Sequence, residues 1–180
     1  MINTTAFHQS IHQSSHNDEY LTPPEAVRIV LPYVQGKRIW CPFDNADSAF
    51  VQVFEKAGLT VLHSTLSDEQ DFFSYVPDEP FDCIISNPPY SIRNQVFARL
   101  FELQKPFMML VNSSGIFDNR IRFDMFRKYG VELLVYKGRT AFIRKSDGKS
   151  QSPMFQSLYL CHGMLPERLV FAAATRKRSR

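Results

Sequence analysis

Between Lys37 and Cys161 the chain alternates short apolar runs with stretches whose apolar residues recur every three or four positions. The first pattern predicts strands and the second amphipathic helices. Strands are expected at Lys37 to Phe43, Leu59 to His63, Asp82 to Ile85, Phe107 to Val111, Val131 to Tyr136 and Phe155 to Cys161. Asp71-Phe72-Phe73 reads as a turn after a very short strand, and Val170 to Ala174 as an edge element. The run at Phe107 to Val111 is apolar throughout, as parallel strands buried on both faces are.

Helices fall between these runs. Thr22, Pro23 and Glu25 form a helix start, with Thr22 as the cap and Pro23 in the first turn. That helix runs to about Leu31 and buries Val27, Val30 and Leu31. Phe50, Val53, Phe54 and Ala57 share one face of a second helix, which Gly58 stops. Ile92 to Leu103 buries Val96, Phe97, Leu100 and Phe101, and Asp118 to Tyr129 is helical ahead of Gly130. This alternation predicts an α/β fold. Its sheet is mainly parallel and Rossmann-like, with a C-terminal antiparallel hairpin strand and helices on both faces.

A chain of 180 residues suits a single domain, expected over 18–174. Residues 1–17 are polar and aperiodic and are expected to be a flexible arm; 175–180 is a basic tail. His8, His12 and His16 would share a helix face, as metal ligands can. Ser and Gln surround them and nothing would bury that helix, so no metal site is expected. The net charge is +3, and Arg176, Lys177, Arg178 and Arg180 supply four positive charges. The body is therefore near neutral: charge permits nucleic acid without demanding it. Cys41, Cys83 and Cys161 lie far apart in separate predicted strands, which suits reduced core thiols in a cytoplasmic protein. No apolar run approaches a membrane span, and no membrane partner is expected. Nothing here fixes the oligomeric state.

The candidate chemistry is concentrated after the strand at Asp82 to Ile85. That strand stops in Ser86-Asn87-Pro88-Pro89-Tyr90, where two prolines remove two donors and lock two φ angles. The result is a rigid loop at the carboxyl end of a strand, where ligands of open α/β sheets bind. Such a loop fits methyl transfer to a planar exocyclic amine. The lone pair of that nitrogen is conjugated into its ring, so two acceptors are needed to hold its hydrogens. The Asn87 side-chain oxygen and the Pro88 carbonyl are the candidates, Pro89 stiffens the loop, Tyr90 stacks on the base and Ser91 lies beside it. Asn87-Pro88-Pro89-Tyr90 resembles the (Asp/Asn/Ser)-Pro-Pro-(Tyr/Phe) motif of S-adenosylmethionine-dependent amino-methyltransferases.

Asn87 of this loop is also a cofactor candidate, and the other cofactor candidates precede it. Tyr20, Thr22 and Pro23 would brace the methionine end of S-adenosylmethionine at a helix N-terminus. The Gly-rich turn expected after Lys37 to Phe43 is absent. Pro42 and Asp44 stand there instead, and the Asp44 carboxylate suits the cofactor's ammonium, although Asp44 and Asp47 would also cap a helix well. Ser64 takes the place of an acidic ribose ligand, with Thr65, Asp68 and Glu69 nearby. Asp71 would accept from the adenine amine and Phe72 would stack on its ring. After the loop, Lys137 to Pro153 is polar, contains the hairpin signal Asp147-Gly148, and places Arg139, Lys145 and Lys149 around Phe142. Basic residues interleaved with an aromatic suit a nucleic-acid backbone and an unstacked base, so 137–155 is expected to face substrate. Arg120, Arg122, Arg127 and Lys128 are either a solvated face or phosphate contacts.

From Tyr20 to about Gly163 the chain resembles the EcoRI-type and small phage adenine-specific N6 methyltransferases. The residues that carry this are Trp40 to Asp44 with Ser48 to Val51, then Asp71 to Phe73, then Asp82 to Ile92, the most specific part, and finally Gly138, Arg139 and Phe142 with the closing strand. The resemblance implies a class I methyltransferase fold, S-adenosylmethionine as cofactor, and nucleic acid as partner, DNA ahead of RNA. The chain departs from the larger DNA methyltransferases in showing no separate target-recognition domain, so strong sequence specificity is not expected. Two other readings stand beside it: methylation of a protein glutamine amide, and a non-catalytic nucleic-acid-binding protein that keeps the fold.

Overall fold

A computed structural model describes residues 20–151 and 154–172. The expected arm, its three histidines and the basic tail lie outside the described residues. Among the described residues, ten strands and four α-helices follow one another in chain order. They are β1 (Tyr20–Leu21), α1 (Pro24–Arg28), β2 (Arg38–Cys41), α2 (Ala49–Lys56), β3 (Thr60–His63), β4 (Cys83–Ser86), α3 (Arg93–Glu102), β5 (Phe107–Asn112), α4 (Arg120–Tyr129), β6 (Glu132–Tyr136), β7 (Phe142–Arg144), β8 (Ser150–Gln151), β9 (Ser157–His162) and β10 (Leu169–Ala172).

Seven strands form the central sheet, in the order β10-β6-β9-β5-β4-β2-β3. All neighbours pair in parallel except β9, which runs antiparallel between β5 and β6. The expected Rossmann-like α/β sheet with one antiparallel late strand is therefore present. Side chains alternate across it, as the strand period of two requires. Ile39, Cys41, Cys83, Ile85, Met108 and Leu110 pack on one face with Val27, Phe50 and Phe54 of α1 and α2. Trp40, Ile84, Phe107 and Met109 pack on the other with Val96, Phe97 and Phe126 of α3 and α4. Both faces are covered, which is why these strands read as unbroken apolar runs. The three cysteines are buried and unpaired, as expected. No described helix is long and apolar enough to cross a membrane.

A second sheet, β1-β7-β8, is small and antiparallel. Tyr20 and Leu21 pair with Arg144 and Ile143, and the Tyr20 hydroxyl donates to Gln151 Oε1 at 2.8 Å. The hairpin turns at Asp147-Gly148 as its sequence predicts: Gly148 takes φ +67° and Asp147 Oδ1 accepts from the Lys149 amide.

Five expectations need correction. Thr22 is not the helix cap: Pro23 holds that position without a side-chain bond, and Pro24 opens α1. That helix stops at Arg28, three residues early, because the Pro32 ring would clash with the Arg28 carbonyl; Leu31 to Tyr33 form a 3-10 turn instead. Neither Asp44 nor Asp47 caps α2; Ser48 does, accepting from the Val51 amide at 3.4 Å. Ala57 is exposed at the end of α2, and no strand precedes Asp71.

Candidate active site

The chain leaves β2 for β3 on one side and returns to β4 on the other, so the strand order reverses between β2 and β4. A crevice opens at the carboxyl ends of two such strands, and that is where an open α/β sheet binds ligand. Here it holds a cavity of about 1310 Å³, lined by Pro42 to Asn45 after β2 and Asn87 to Tyr90 after β4. β1 and the β7–β8 hairpin wall the other side, through Tyr20, Thr22, Phe142 and Lys145.

Ser86, the last residue of β4, is fully buried and its hydroxyl donates to Asp44 Oδ2. Asn87 follows at once. The acidic group after β2 and the amide after β4 are thus joined through one serine. Asn87 Nδ2 donates to Thr22 Oγ1 at 3.3 Å. This turns the amide so that its hydrogens point at Thr22 and its oxygen is left to accept. No described donor bonds the Pro88 carbonyl either, and Pro88 lines the cavity. Pro89 leads into a 3-10 turn over Tyr90 to Ile92, and Tyr90 is 44% exposed against the cavity. The loop therefore offers two acceptors and an accessible ring, the set that a planar amine requires.

Asp44 is 8% exposed. Burial pushes its carboxyl up to about 6, against the pull of the Ser86 and Ser48 hydroxyls and of His63. Ser48 caps the helix, and Asp44 lines the cavity. A buried, half-satisfied carboxylate of raised pKa gains from a cationic partner. The donor set at this end of the cavity fits an amino-acid ammonium on that ground.

The remaining candidates divide. Tyr20, Thr22, Pro42, Asp71 and Phe72 line the cavity; Pro23 is buried behind it, with Pro24 on the wall. Asp71 Oδ1 accepts from the Phe73 amide and so fixes the turn. Phe72 is 2% exposed, with its ring 5.5 Å from Trp40 and 4.9 Å from Phe43, so only its rim reaches the cavity. Ser64 does not reach it. Its hydroxyl is fully buried and accepts the Trp40 indole N–H at 3.0 Å. Thr65 and Ser67 line the wall in its place. Phe142 and Lys145 face the cavity, whereas Ser91, Arg139 and Lys149 are exposed away from it. Of the basic residues on α4, Arg122 is neither a solvated group nor a phosphate contact. It is 7% exposed and bonds the Ile116 and Gly115 carbonyls and Asn94 Oδ1. No cluster of potential metal ligands occurs among the described residues.

The sequence reading missed Arg93. It opens α3, lines the cavity and places its guanidinium carbon 3.7 Å from the centre of the Tyr90 ring. Its position, three residues past Tyr90 on the first turn of a helix, was the only signal of it.

No protein-family model matches the chain, and neither does any curated protein sequence. Among solved structures it is similar to a predicted O-methyltransferase, protein Atu636, from Agrobacterium tumefaciens. That likeness has a TM-score of 0.45 at 14% identity and covers 83% of this chain and 85% of the other. It is also similar to a precorrin-6y C5,15-methyltransferase from Geobacter metallireducens GS-15, with a TM-score of 0.44 at 11% identity, over 81% of this chain and 92% of that one. Both scores lie under 0.5, so neither likeness bears on what this chain acts on.

Proposed function

We propose that the protein transfers a methyl group from S-adenosylmethionine to the N6 amine of adenine in nucleic acid, DNA ahead of RNA. One observation carries this reading: Ser86, the residue before Asn87, donates to Asp44, so an acceptor for a cationic amine and an acceptor for a planar amine share one crevice. Asp44 would hold the cofactor's ammonium, with Tyr20, Pro42, Asp71 and the rim of Phe72 around it. The cofactor supplies an electrophilic methyl group. Asn87 Oδ1 and the Pro88 carbonyl would accept hydrogen bonds from the two N–H groups of the target amine and favour a more tetrahedral nitrogen, which gives up one proton to solvent on transfer. Tyr90 supports the base, which must leave a duplex to reach it. The rate then comes mainly from holding donor and acceptor in line. Phe142 and Lys145 form the substrate wall. The folded unit is read as 18–174, with the β7–β8 hairpin facing substrate.

Transfer of a labelled methyl group to adenine-containing DNA and RNA oligonucleotides tests this reading, with a glutamine-containing peptide as competitor substrate. Label on adenine N6 that Asn87→Ala abolishes, while calorimetry shows S-adenosylmethionine still bound, is the expected result. Label on the peptide alone, or none on any substrate, would sink it.

A further inference from the structure

The reading above leaves the Arg93 guanidinium, on the cavity wall, without a task. It is 7% exposed, and its Nε and Nη1 are enclosed without a hydrogen-bond partner. Among the described residues no carboxylate forms an ion pair with it, and its charge acts on another cation, Arg122. Arg122 spends its donors on Ile116, Gly115 and Asn94, and so gives Arg93 nothing to bond. A buried, unpaired charge is strongly unfavourable unless an opposite charge arrives. The helix that Arg93 opens is ten residues long and begins at Ile92 with no side-chain cap, so its first amides also lack a side-chain acceptor. These two features are independent, both call for an anion, and the Arg93 side chain lines the cavity where they meet.

Position selects the anion. The guanidinium covers one face of the Tyr90 ring, and a base would lie on the other. A nucleotide's phosphate hangs one sugar beyond its base, which is the reach needed to pass the ring edge. The guanidinium fork matches two phosphate oxygens. The cavity is polarised in the same sense: Asp44, Asp47 and Asp71 stand toward β2 and β3, and Arg93 and Lys145 toward α3 and the hairpin, with Lys56 the exception.

We infer that Arg93, with the uncapped start of α3, is the binding site for the phosphate of the target nucleotide. The inference rests on the adenine reading of the site and sharpens it: the substrate is a nucleotide unit and not a free base or an amide.

The test titrates the full-length protein with adenosine, adenosine 5′-monophosphate, inorganic phosphate and acetate. Two signals are followed by NMR, the Tyr90 ring and the Arg93 Nε–H, so the wild type reports without any substitution. Adenosine monophosphate should bind about tenfold tighter than adenosine, the gain of a charge-assisted hydrogen bond. It and inorganic phosphate should move the Arg93 signal, and adenosine and acetate should not. Arg93→Met should erase the tenfold preference and Arg93→Lys should keep part of it, with thermal melting as the check on folding. Equal binding of nucleoside and monophosphate, or a preference that survives Arg93→Met, would overturn this inference and leave the adenine reading standing. An Arg93 shift as large with acetate as with phosphate would overturn the phosphate assignment. Failure of both adenosine compounds to bind the wild type would overturn the inference together with the adenine reading.

Discussion

Thr22 Oγ1 accepts a hydrogen bond from Asn87 Nδ2 at 3.3 Å. The bond spans 65 positions of sequence and sets which end of the amide faces the cavity. An Asn side chain flipped the other way would present N–H to a target amine and repel it. On the proposed reading, Thr22 acts on the target amine through Asn87. Thr22→Val keeps the shape and removes the acceptor. It should lower kcat about tenfold, the worth of one hydrogen bond of about 1 kcal/mol, and leave KM for S-adenosylmethionine within twofold. Thr22→Ser should restore the rate. Steady-state kinetics on the three proteins decides it, because a merely structural role would not be rescued by serine alone.

Asp44 makes the ligand-free protein pH-sensitive in a defined direction. Its carboxyl titrates near 6 in the folded chain and at its ordinary 3.8 when unfolded. The native state therefore holds the extra proton between those values, and stability falls as pH rises from about 4 to 6, by an amount on the order of 3 kcal/mol, then levels off. Asp44→Asn removes that loss and should be the more stable protein at pH 7. Urea midpoints of both proteins at pH 4.5 and 7 measure the difference. Cofactor binding should run the opposite way. An ammonium needs the ionised carboxylate, so affinity for S-adenosylmethionine should fall about tenfold per pH unit below 6 and should be weak at all pH in Asp44→Asn. Calorimetric titration across pH 5 to 8 checks this.

The sheet was legible because β4, β5 and β9 are buried on both faces and leave continuous apolar runs, which no loop would carry. The proline loop was legible for a similar reason: two prolines after a strand permit few structures. The errors share another cause. Asp44, Asp47 and Ser48 can all cap a helix, and local sequence does not rank them. Ser86, from a distant strand, settles it by claiming Asp44 and leaving Ser48 to α2. Ser64 stood where a ribose ligand belongs, but the Trp40 indole needed an acceptor in the core and took it. Arg93 was hidden for the opposite reason. An arginine at a helix start is ordinary, and only its burial without a partner makes it informative.

Tyr90 should act through its ring and not its hydroxyl. No described residue bonds the phenol oxygen, while the ring is held from one side by Arg93 at 3.7 Å. Stacking of a base on an aromatic ring contributes about 1–3 kcal/mol. Tyr90→Phe should therefore keep KM for the nucleic-acid substrate within threefold. Tyr90→Ala should raise it between about tenfold and a hundredfold. A loss in Tyr90→Phe equal to that in Tyr90→Ala would assign the role to the hydroxyl instead.

Arg122 shows how a basic residue on a polar helix can serve the frame and not the ligand. Its neighbours Arg120 and Arg127 are exposed and form long ion pairs with Asp124 at 3.8 Å. Arg122 is buried, and burial, reinforced by the charge of Arg93, lowers its pKa. It stays because three acceptors converge on it: Ile116 O at 3.0 Å, Gly115 O at 2.7 Å and Asn94 Oδ1. These bonds fasten the loop after β5 to the first turn of α3. Arg122→Ala leaves two carbonyls and an amide oxygen without donors and should cost about 3 kcal/mol, read as a shift in the urea midpoint. Arg122→Lys should recover less than half, since an ammonium cannot reproduce a planar fork. Arg120→Ala and Arg127→Ala should each change stability by under about 0.5 kcal/mol, as exposed ion pairs do. The salt dependence of nucleic-acid binding should be the same in Arg122→Ala as in wild type, because a buried group whose three nitrogens each bond protein neutralises no phosphate.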